Sequence, residues 1–251
     1  MEDGRMRIAV ISDVHGNLPA LEAVLAAIED DEVDLTVNLG DLLSGYVDPV
    51  GTADRLIELG LPTVAGNHER QLLTFGPERI GMADRVTREL LSERHWVWLR
   101  SLPPTRSPIA GVLAFHGTPD DDLQYLMHTV EAAGVREATA GEVLARLGDV
   151  SGYSLLLCGH THLVGSMRLP GGALLVNPGS VGWPAYADDE PYPHRMEAGS
   201  PHARYAVVDD VSGRWEVSFA VVEYPWERAA VAAEGFGRPD VAAAMRTGRL
   251  A

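Results

Sequence analysis

Five short apolar runs in this chain break off in the same way, into Asp, Asn or His beside glycine. Residues 6–11 lead into "SDVHGN", with Asp13 and His15, and residues 35–39 lead into "LGD", with Asp41. Residues 62–65 lead into "AGNHE", with Asn67 and His68, and residues 112–115 into "FHGTP", with His116. Residues 155–158 lead into "CGHTH", with His160 and His162. An apolar run with little alternation suits a strand covered on both faces. In open α/β sheets, ligands bind beyond the carboxyl ends of such strands. The pattern therefore asks for an α/β chain that gathers polar side chains at one end of its sheet.

Helical spacing fills the gaps between these runs. Asn17 reads as an N-cap and Pro19 sits near the first helical position, before Leu18, Leu21, Val24, Leu25 and Ile28 at helical intervals. Further helices are predicted over 52–59, 82–99, 142–147, 226–233 and 240–245. Strands are predicted over 164–169 and 173–176, joined at Pro170-Gly171-Gly172, and over 205–208 and 216–222, turning at Ser212-Gly213. Residues 183–202 are rich in Pro, Gly and acidic side chains and lack a period, so they read as a mobile surface loop. The alternation marks an α/β fold. One domain over 1–251 is expected, with 183–203 as a surface loop insertion and 226–248 as C-terminal helices.

Composition narrows the partners. The chain is 46% hydrophobic, enough for a sizeable core, and its formal net charge is −16. That charge argues against long nucleic acid and against an anionic membrane surface. It leaves room for a small anionic substrate, because bound divalent cations invert the local field. Cys158 is the single cysteine, so no intrachain disulfide forms. Residues 1–7 are charged and lead into a strand-like run, and no apolar stretch reaches membrane-spanning length. A cytoplasmic protein is the expectation.

The donor inventory is two Asp, one Asn and four His, without a thiolate. Mixed oxygen and imidazole donation suits Mn²⁺, Fe or Zn²⁺, and suits Ca²⁺ or Mg²⁺ alone poorly. Seven donors are too many for one catalytic ion that keeps an open position. They fit two ions that share a bridging carboxylate. Each motif alone has a plain reading as a solvated or capped turn; the ordered set of five at strand ends does not. His68 is left over.

The ordered set Asp-x-His, Gly-Asp, Gly-Asn-His-Glu, His, Gly-His-Thr-His resembles the calcineurin-like metallophosphoesterase superfamily over most of residues 6–182. The stretches "ISDVHGNLPALEAVL" and "NPGSVG" resemble a small prokaryotic phosphodiesterase branch of it. The resemblance implies a four-layer α/β/β/α sandwich with two mixed central sheets and a dinuclear metal site at the strand ends. It implies that Asp13, His15 and His162 hold one ion, that Asn67, His116 and His160 hold the other, and that Asp41 bridges them. Two divalent ions are expected, Mn²⁺ first, with Fe, Zn²⁺, Ni²⁺ or Co²⁺ as candidates. The catalytic set is His68, Asp41 and Asn67, with Asn17, Asn67 and His68 as contacts to the substrate phosphate. In this chemistry a hydroxide held between two ions attacks phosphorus in line, and His68 is the candidate general acid. Asn17 has a plainer alternative as a helix cap only.

Departures from the superfamily pattern matter as well. Many members carry an Asp three residues after the bridging Asp, where it can orient the catalytic imidazole; Ser44 stands here. Gly45 replaces the Arg found in protein phosphatases, and Trp183-Pro184-Ala185 follows "GSVG" where a Gln-Pro-Arg run is common. His95, His128, His194 and His202 read as surface residues, with a cap over the site as an alternative for His128. Cys158 reads as a small buried apolar residue, and Trp96 and Trp98 as helix packing. The expected function is hydrolysis of small phosphodiesters, nucleotide derivatives among them. Alternatives are a phosphomonoesterase, a dinucleoside polyphosphate hydrolase, or a non-catalytic metal-binding scaffold. The oligomeric state stays open, with the C-terminal helices as one surface for self-association.

Overall fold

The computed structural model describes residues 6–251; the charged lead-in over 1–5 lies outside the described residues. The chain begins with β1 (Arg7–Ile11), α1 (Leu18–Asp30), β2 (Leu35–Asn38) and α2 (Pro49–Leu59). Three helices follow, α3 (Asn67–Thr74), α4 (Met82–Leu90) and α5 (Glu93–Ser101). Next come β3 (Thr105–Arg106), β4 (Val112–Phe115), β5 (His128–Glu131), β6 (Gly134–Glu137) and α6 (Ala140–Leu147). The chain continues through β7 (Leu155–Leu157), β8 (Val164–Arg168), β9 (Leu174–Pro178), β10 (Ala185–Asp188) and β11 (His194–Glu197). It closes with β12 (Ala203–Val211), β13 (Arg214–Val222), α7 (Trp226–Gly235) and α8 (Pro239–Thr247).

Two mixed sheets dominate, in the orders β13-β12-β1-β2 and β3-β4-β7-β9-β8. β1 pairs β2 in parallel, and β4, β7 and β9 pair in parallel, so their carboxyl ends share a side. The strand period of two sorts side chains between layers. Ile8 and Val10 of β1 meet Val112 and Ala114 of β4 and Leu155 and Leu157 of β7, between the sheets. Ala9 and Ile11 point the other way, into a cluster with α1, α2, α7 and α8. Leu113, Phe115 and Leu156 point outward from the second sheet onto Val143 and Leu147 of α6. The result is the expected four-layer α/β/β/α sandwich. Burial of each such large side chain contributes about 1.5–3 kcal/mol, which makes the strand ends a firm platform.

Several sequence expectations change. Residues 62–65 form only one bridge, Thr63 to Asn38, because Pro62 cannot donate to a ladder. The helix predicted over 82–99 is two helices, since Ser92 caps α5 in a box with His95. α3 was not expected, because Asn67 and His68 read as loop ligands rather than as a first helical turn. The hairpin of β5 and β6 was not expected either. The stretch 183–202 is not an unstructured loop: β10 and β11 pair within it, Ala185 opposite Glu197 and Asp188 opposite His194. Its tip is polar, so the apolar alternation that marks a strand is missing. Among the described residues no helix is long and apolar enough to cross a membrane.

Candidate metal centre

The site sits on the loops that leave β1, β2, β4 and β7 and on the first turn of α3. Backbone geometry there is unusual. Asp13, His15, Asp41, His160 and His162 all hold positive φ, between 50° and 69°. Outside the site, the described non-glycine residues with positive φ are Glu32 and Ser212 alone. Each such residue costs about 1–3 kcal/mol, so the surroundings must over-determine it. They do so through hydrogen bonds between loops. The amides of Asp13, His15 and Gly16 donate to the carbonyls of Gly40, Asp41 and Leu42 at 2.9–3.0 Å. The His160 amide donates to Asp13 Oδ2 at 3.2 Å, and the His68 amide to Asp41 Oδ1 at 3.0 Å.

Glu69 ties the second and third loops together. Its carboxylate accepts from the amides of Asp41, Leu42 and Gly66, each at 2.9 Å. Burial, and then the charge of Asp41, push this carboxyl up to about 7, against those hydrogen bonds. Sequence reading gave Glu69 no role; its signal was a Glu at the third position of a helix that starts at a glycine. Gly45 also has a local reason. A Cβ there would stand 1.9 Å from the His15 carbonyl oxygen, so no larger residue fits against that loop.

Four imidazoles converge with a shared logic. His15 Nδ1 donates to the Ser44 carbonyl at 2.8 Å, and His162 Nδ1 to the Trp183 carbonyl at 2.6 Å. His116 Nδ1 donates to the Leu39 carbonyl at 2.8 Å, and His160 Nε2 to the Leu123 carbonyl at 3.0 Å. A nitrogen that donates to a carbonyl leaves the other nitrogen as a lone pair. Those lone pairs face one another and the carboxylates. His15 Nε2 and His162 Nε2 are 3.1 Å apart, and His162 Nε2 is 3.2 Å from Asp13 Oδ1. His116 Nε2 is 3.2 Å from Asp41 Oδ2 and 3.1 Å from the Asn67 side-chain amide, whose NH2 in its hydrogen-bonded orientation donates to His116 Nε2, His160 Nδ1 and Asp41 Oδ2. Asp13 Oδ1 is buried and accepts no hydrogen bond. Lone pairs at such distances repel unless a proton or a metal ion lies among them, and imidazoles and carboxylates grouped this closely fit a metal ion.

Asp13, His15, Asp41 and His162 form one group whose ligand atoms all lie within 4.8 Å of one another, and Asp41, His116 and His160 form a second. The Asn67 amide adds to the second, beside His116. All seven expected ligands are thus brought together, and Asp41 belongs to both groups. The electrostatics agree. Burial, and then the neighbouring His162, push His15 down to about 3; burial, and then His116, push His160 down to about 4. Both imidazoles are neutral at pH 7. Burial opposes protonation of His116, but the charge of Asp41 outweighs it and raises this imidazole to about 10. Proton and metal compete for that lone pair. Asp41 is held well below the usual carboxylate range, burial being outweighed by His116 and His68.

His68 stands at the edge, a quarter exposed, with Nε2 4.0 Å from Asp41 Oδ2. Its Nδ1 donates to Asp84 Oδ1 at 2.6 Å. Ser44 occupies the position of the usual orienting Asp, and Asp84, buried on α4, supplies the carboxylate instead. Burial would lower His68, but Asp41 and then Asp84 raise it to about 9. Asn17 caps α1 through Ala20 at 3.3 Å, and its amide donates to the Gly182 carbonyl and the Tyr224 hydroxyl. Its polar atoms are spent away from the cavity, so its expected contact with substrate phosphate is replaced by the capping role. Asn177 of "NPGSVG" donates to the Gly159 carbonyl at 2.7 Å and so holds the "CGHTH" loop.

A cavity of about 360 Å³ lies over the groups, walled by Tyr46, Met82, Trp183 and Tyr186. The β10–β11 hairpin delivers Tyr186, whose hydroxyl donates to the His160 carbonyl at 3.1 Å. His194 is buried, with Nε2 3.0 Å from the Tyr125 hydroxyl, and His95 is buried against Asp54; neither is the surface residue expected. His128 lies half-buried on β5, away from the two groups, and lines a second cavity rather than capping the first. Cys158 is buried and free, as expected.

Comparisons with known proteins agree with this geometry. A solved metallophosphoesterase from Sphaerobacter thermophilus is 25% identical, with a TM-score of 0.74 over 97% of this chain and 100% of that one. A solved hypothetical protein, PH1004 of Pyrococcus horikoshii, has a TM-score of 0.76 at 19% identity, over 98% of this chain and 100% of that one. The uncharacterized protein MJ0912 of Methanocaldococcus jannaschii is 26% identical over 88% of this chain and 89% of its own length. The family model for the calcineurin-like phosphoesterase superfamily domain matches residues 6–194. This chain belongs to the calcineurin-like phosphoesterase superfamily.

Proposed function

We propose that this protein is a dinuclear metal-dependent phosphoesterase that hydrolyses small phosphodiesters. The observation that carries the reading is the set of four imidazoles, each held by one nitrogen to a backbone carbonyl, and each belonging to one of the two groups that contain Asp41. In this reading Asp13, His15 and His162 hold one ion, Asn67, His116 and His160 hold the other, and Asp41 is shared. Two divalent ions there supply Lewis acidity, activating water and neutralising phosphoryl charge. Mn²⁺ is favoured by the mixed oxygen and imidazole donors.

The chain's own groups do the rest. His68 places a proton at Nε2, at the edge of the cavity, for the departing alkoxide. Asp84 fixes its tautomer and plane through Nδ1. Asn67 and His68, adjacent at the first turn of α3, stand beside the phosphate position. A diester is favoured over a monoester because space opens on two sides. A second cavity of about 550 Å³ shares Leu123, His160 and Asp188 with the first, so both ester arms have room. The substrate class is a small phosphorylated molecule, nucleotide derivatives included, acted on in the cytoplasm.

The test is a rate comparison. The protein is stripped with chelator, reloaded with Mn²⁺, and offered bis(p-nitrophenyl) phosphate and p-nitrophenyl phosphate. Metal-dependent turnover with preference for the diester is expected. Preference for the monoester redirects the search to nucleotide and sugar phosphates, and no metal-dependent turnover of either leaves a scaffold.

A further inference from the structure

Beyond its metal-type residues and His68, the cavity has almost no free positive charge. Among the described residues that line it, Arg238 is the single Lys or Arg. That guanidinium is already engaged. Nε and Nη2 donate to the Asp240 carboxylate at 2.9 and 2.5 Å, and Nη1 to the Tyr46 hydroxyl. The adjoining cavity offers Arg146, whose Nη1 donates to the carbonyls of Tyr125, Leu126 and His128 and whose Nη2 donates to Thr129. Carboxylates remain instead: Asp188 lines both cavities and Glu190 lines the second. A polyphosphate chain running out from the metal groups would meet like charge and no free guanidinium or ammonium group.

What the walls do offer is apolar and aromatic area. Trp183 packs edge-on against His15, ring centroids 5.1 Å apart, and tilts against Tyr46 at 5.8 Å. Met82 and Leu123, at the mouth, are 58% and 50% exposed. Large apolar side chains left in water around a cavity mark a surface that a ligand covers.

We propose that the substrate brings a single phosphate to the metal groups and seats an uncharged aromatic ester arm against Trp183 and Met82, in preference to any polyphosphate. An aromatic ring gains area burial and edge contacts on that wall that a methyl group cannot reach. The inference rests on the phosphoesterase reading above and sharpens its substrate class.

The experiment compares kcat/KM of the Mn²⁺-loaded protein on phenyl p-nitrophenyl phosphate, methyl p-nitrophenyl phosphate and diadenosine tetraphosphate. Each p-nitrophenyl rate is divided by the alkaline hydrolysis rate of the same ester, which removes intrinsic reactivity. Leaving group and charge are then equal for the first two, and the other arm alone differs. The phenyl ester is expected to win by on the order of tenfold. Met82→Ala and Trp183→Ala should each shrink that advantage, with metal content measured alongside to show that the ions remain. Equal rates for phenyl and methyl arms, an advantage unchanged in both variants, or preference for diadenosine tetraphosphate would overturn the inference while leaving a phosphoesterase. No metal-dependent turnover of any of the three would overturn the phosphoesterase reading itself, and this inference with it.

Discussion

The floor and the roof of the site are built by different means. The floor is the loops that leave four strands and the first turn of α3, tied to one another through backbone and carboxylate hydrogen bonds and strained at Asp13, His15, Asp41, His160 and His162. The roof comes from elements outside those segments that lean over them: α4 with Met82 and Asp84, the β10–β11 hairpin with Tyr186, and the segment before α8 with Arg238. The floor is cross-tied, as suits side chains that, in the proposed reading, meet an ion at fixed distances. The roof meets a substrate, which tolerates variation. The difference teaches that changes in the floor should strike metal and rate together, whereas changes in the roof should strike rate alone.

The sharpest way to break that comparison is Asp41→Asn. It removes the carboxylate shared by both groups, so activity should fall by on the order of 10³-fold or more, and metal content should fall with it. Inductively coupled plasma measurement beside the rate assay checks both; full activity would end the two-ion account. Next comes His68→Ala, at the border between floor and roof. Turnover should drop about 10²–10⁴-fold while both ions stay bound. Metal loss in that variant would make His68 a ligand and move the border.

A roof residue acting through His68 should do less. Asp84→Asn should slow turnover by about 10–100-fold, the usual range for a partner that orients a working imidazole. It should add little to His68→Ala when the two are combined, since the pair acts as one unit. Smallest of all, Tyr186→Phe removes a hydroxyl that donates to the His160 carbonyl and stands 2.7 Å from the Tyr125 hydroxyl. About 1 kcal/mol is at stake in one such bond, so turnover should fall less than about tenfold and metal content should hold. Metal loss there would mean that the hairpin belongs to the floor.

Legibility in the sequence follows the same division. Asp13, His15, Asp41, Asn67, His116, His160 and His162 stand out because each comes shortly after an apolar extended run, and the end of such a run has only a few residues in which to place a ligand. The α/β alternation was readable for the same reason, since short apolar runs such as residues 155–157 suit covered strands, whereas the four layers came from the family resemblance. Asp84 was not readable. It sits in an ordinary helical stretch, and its meeting with His68 depends on how α3 and α4 cross. Trp183 and Tyr186 were hidden in a stretch whose polar tip masks a hairpin. Asn17 misled in the other direction, for a cap beside the site resembles a phosphate contact until its amide is found on Gly182 and Tyr224.

The central claim is that the strained floor holds two ions with Asp41 between them. Anomalous diffraction from crystals loaded with Mn²⁺ tests it most directly. Two anomalous peaks are expected, one among Asp13, His15 and His162 and one among Asn67, His116 and His160, each bordering Asp41. A single peak, or peaks away from these residues at full Mn²⁺ loading, would contradict it.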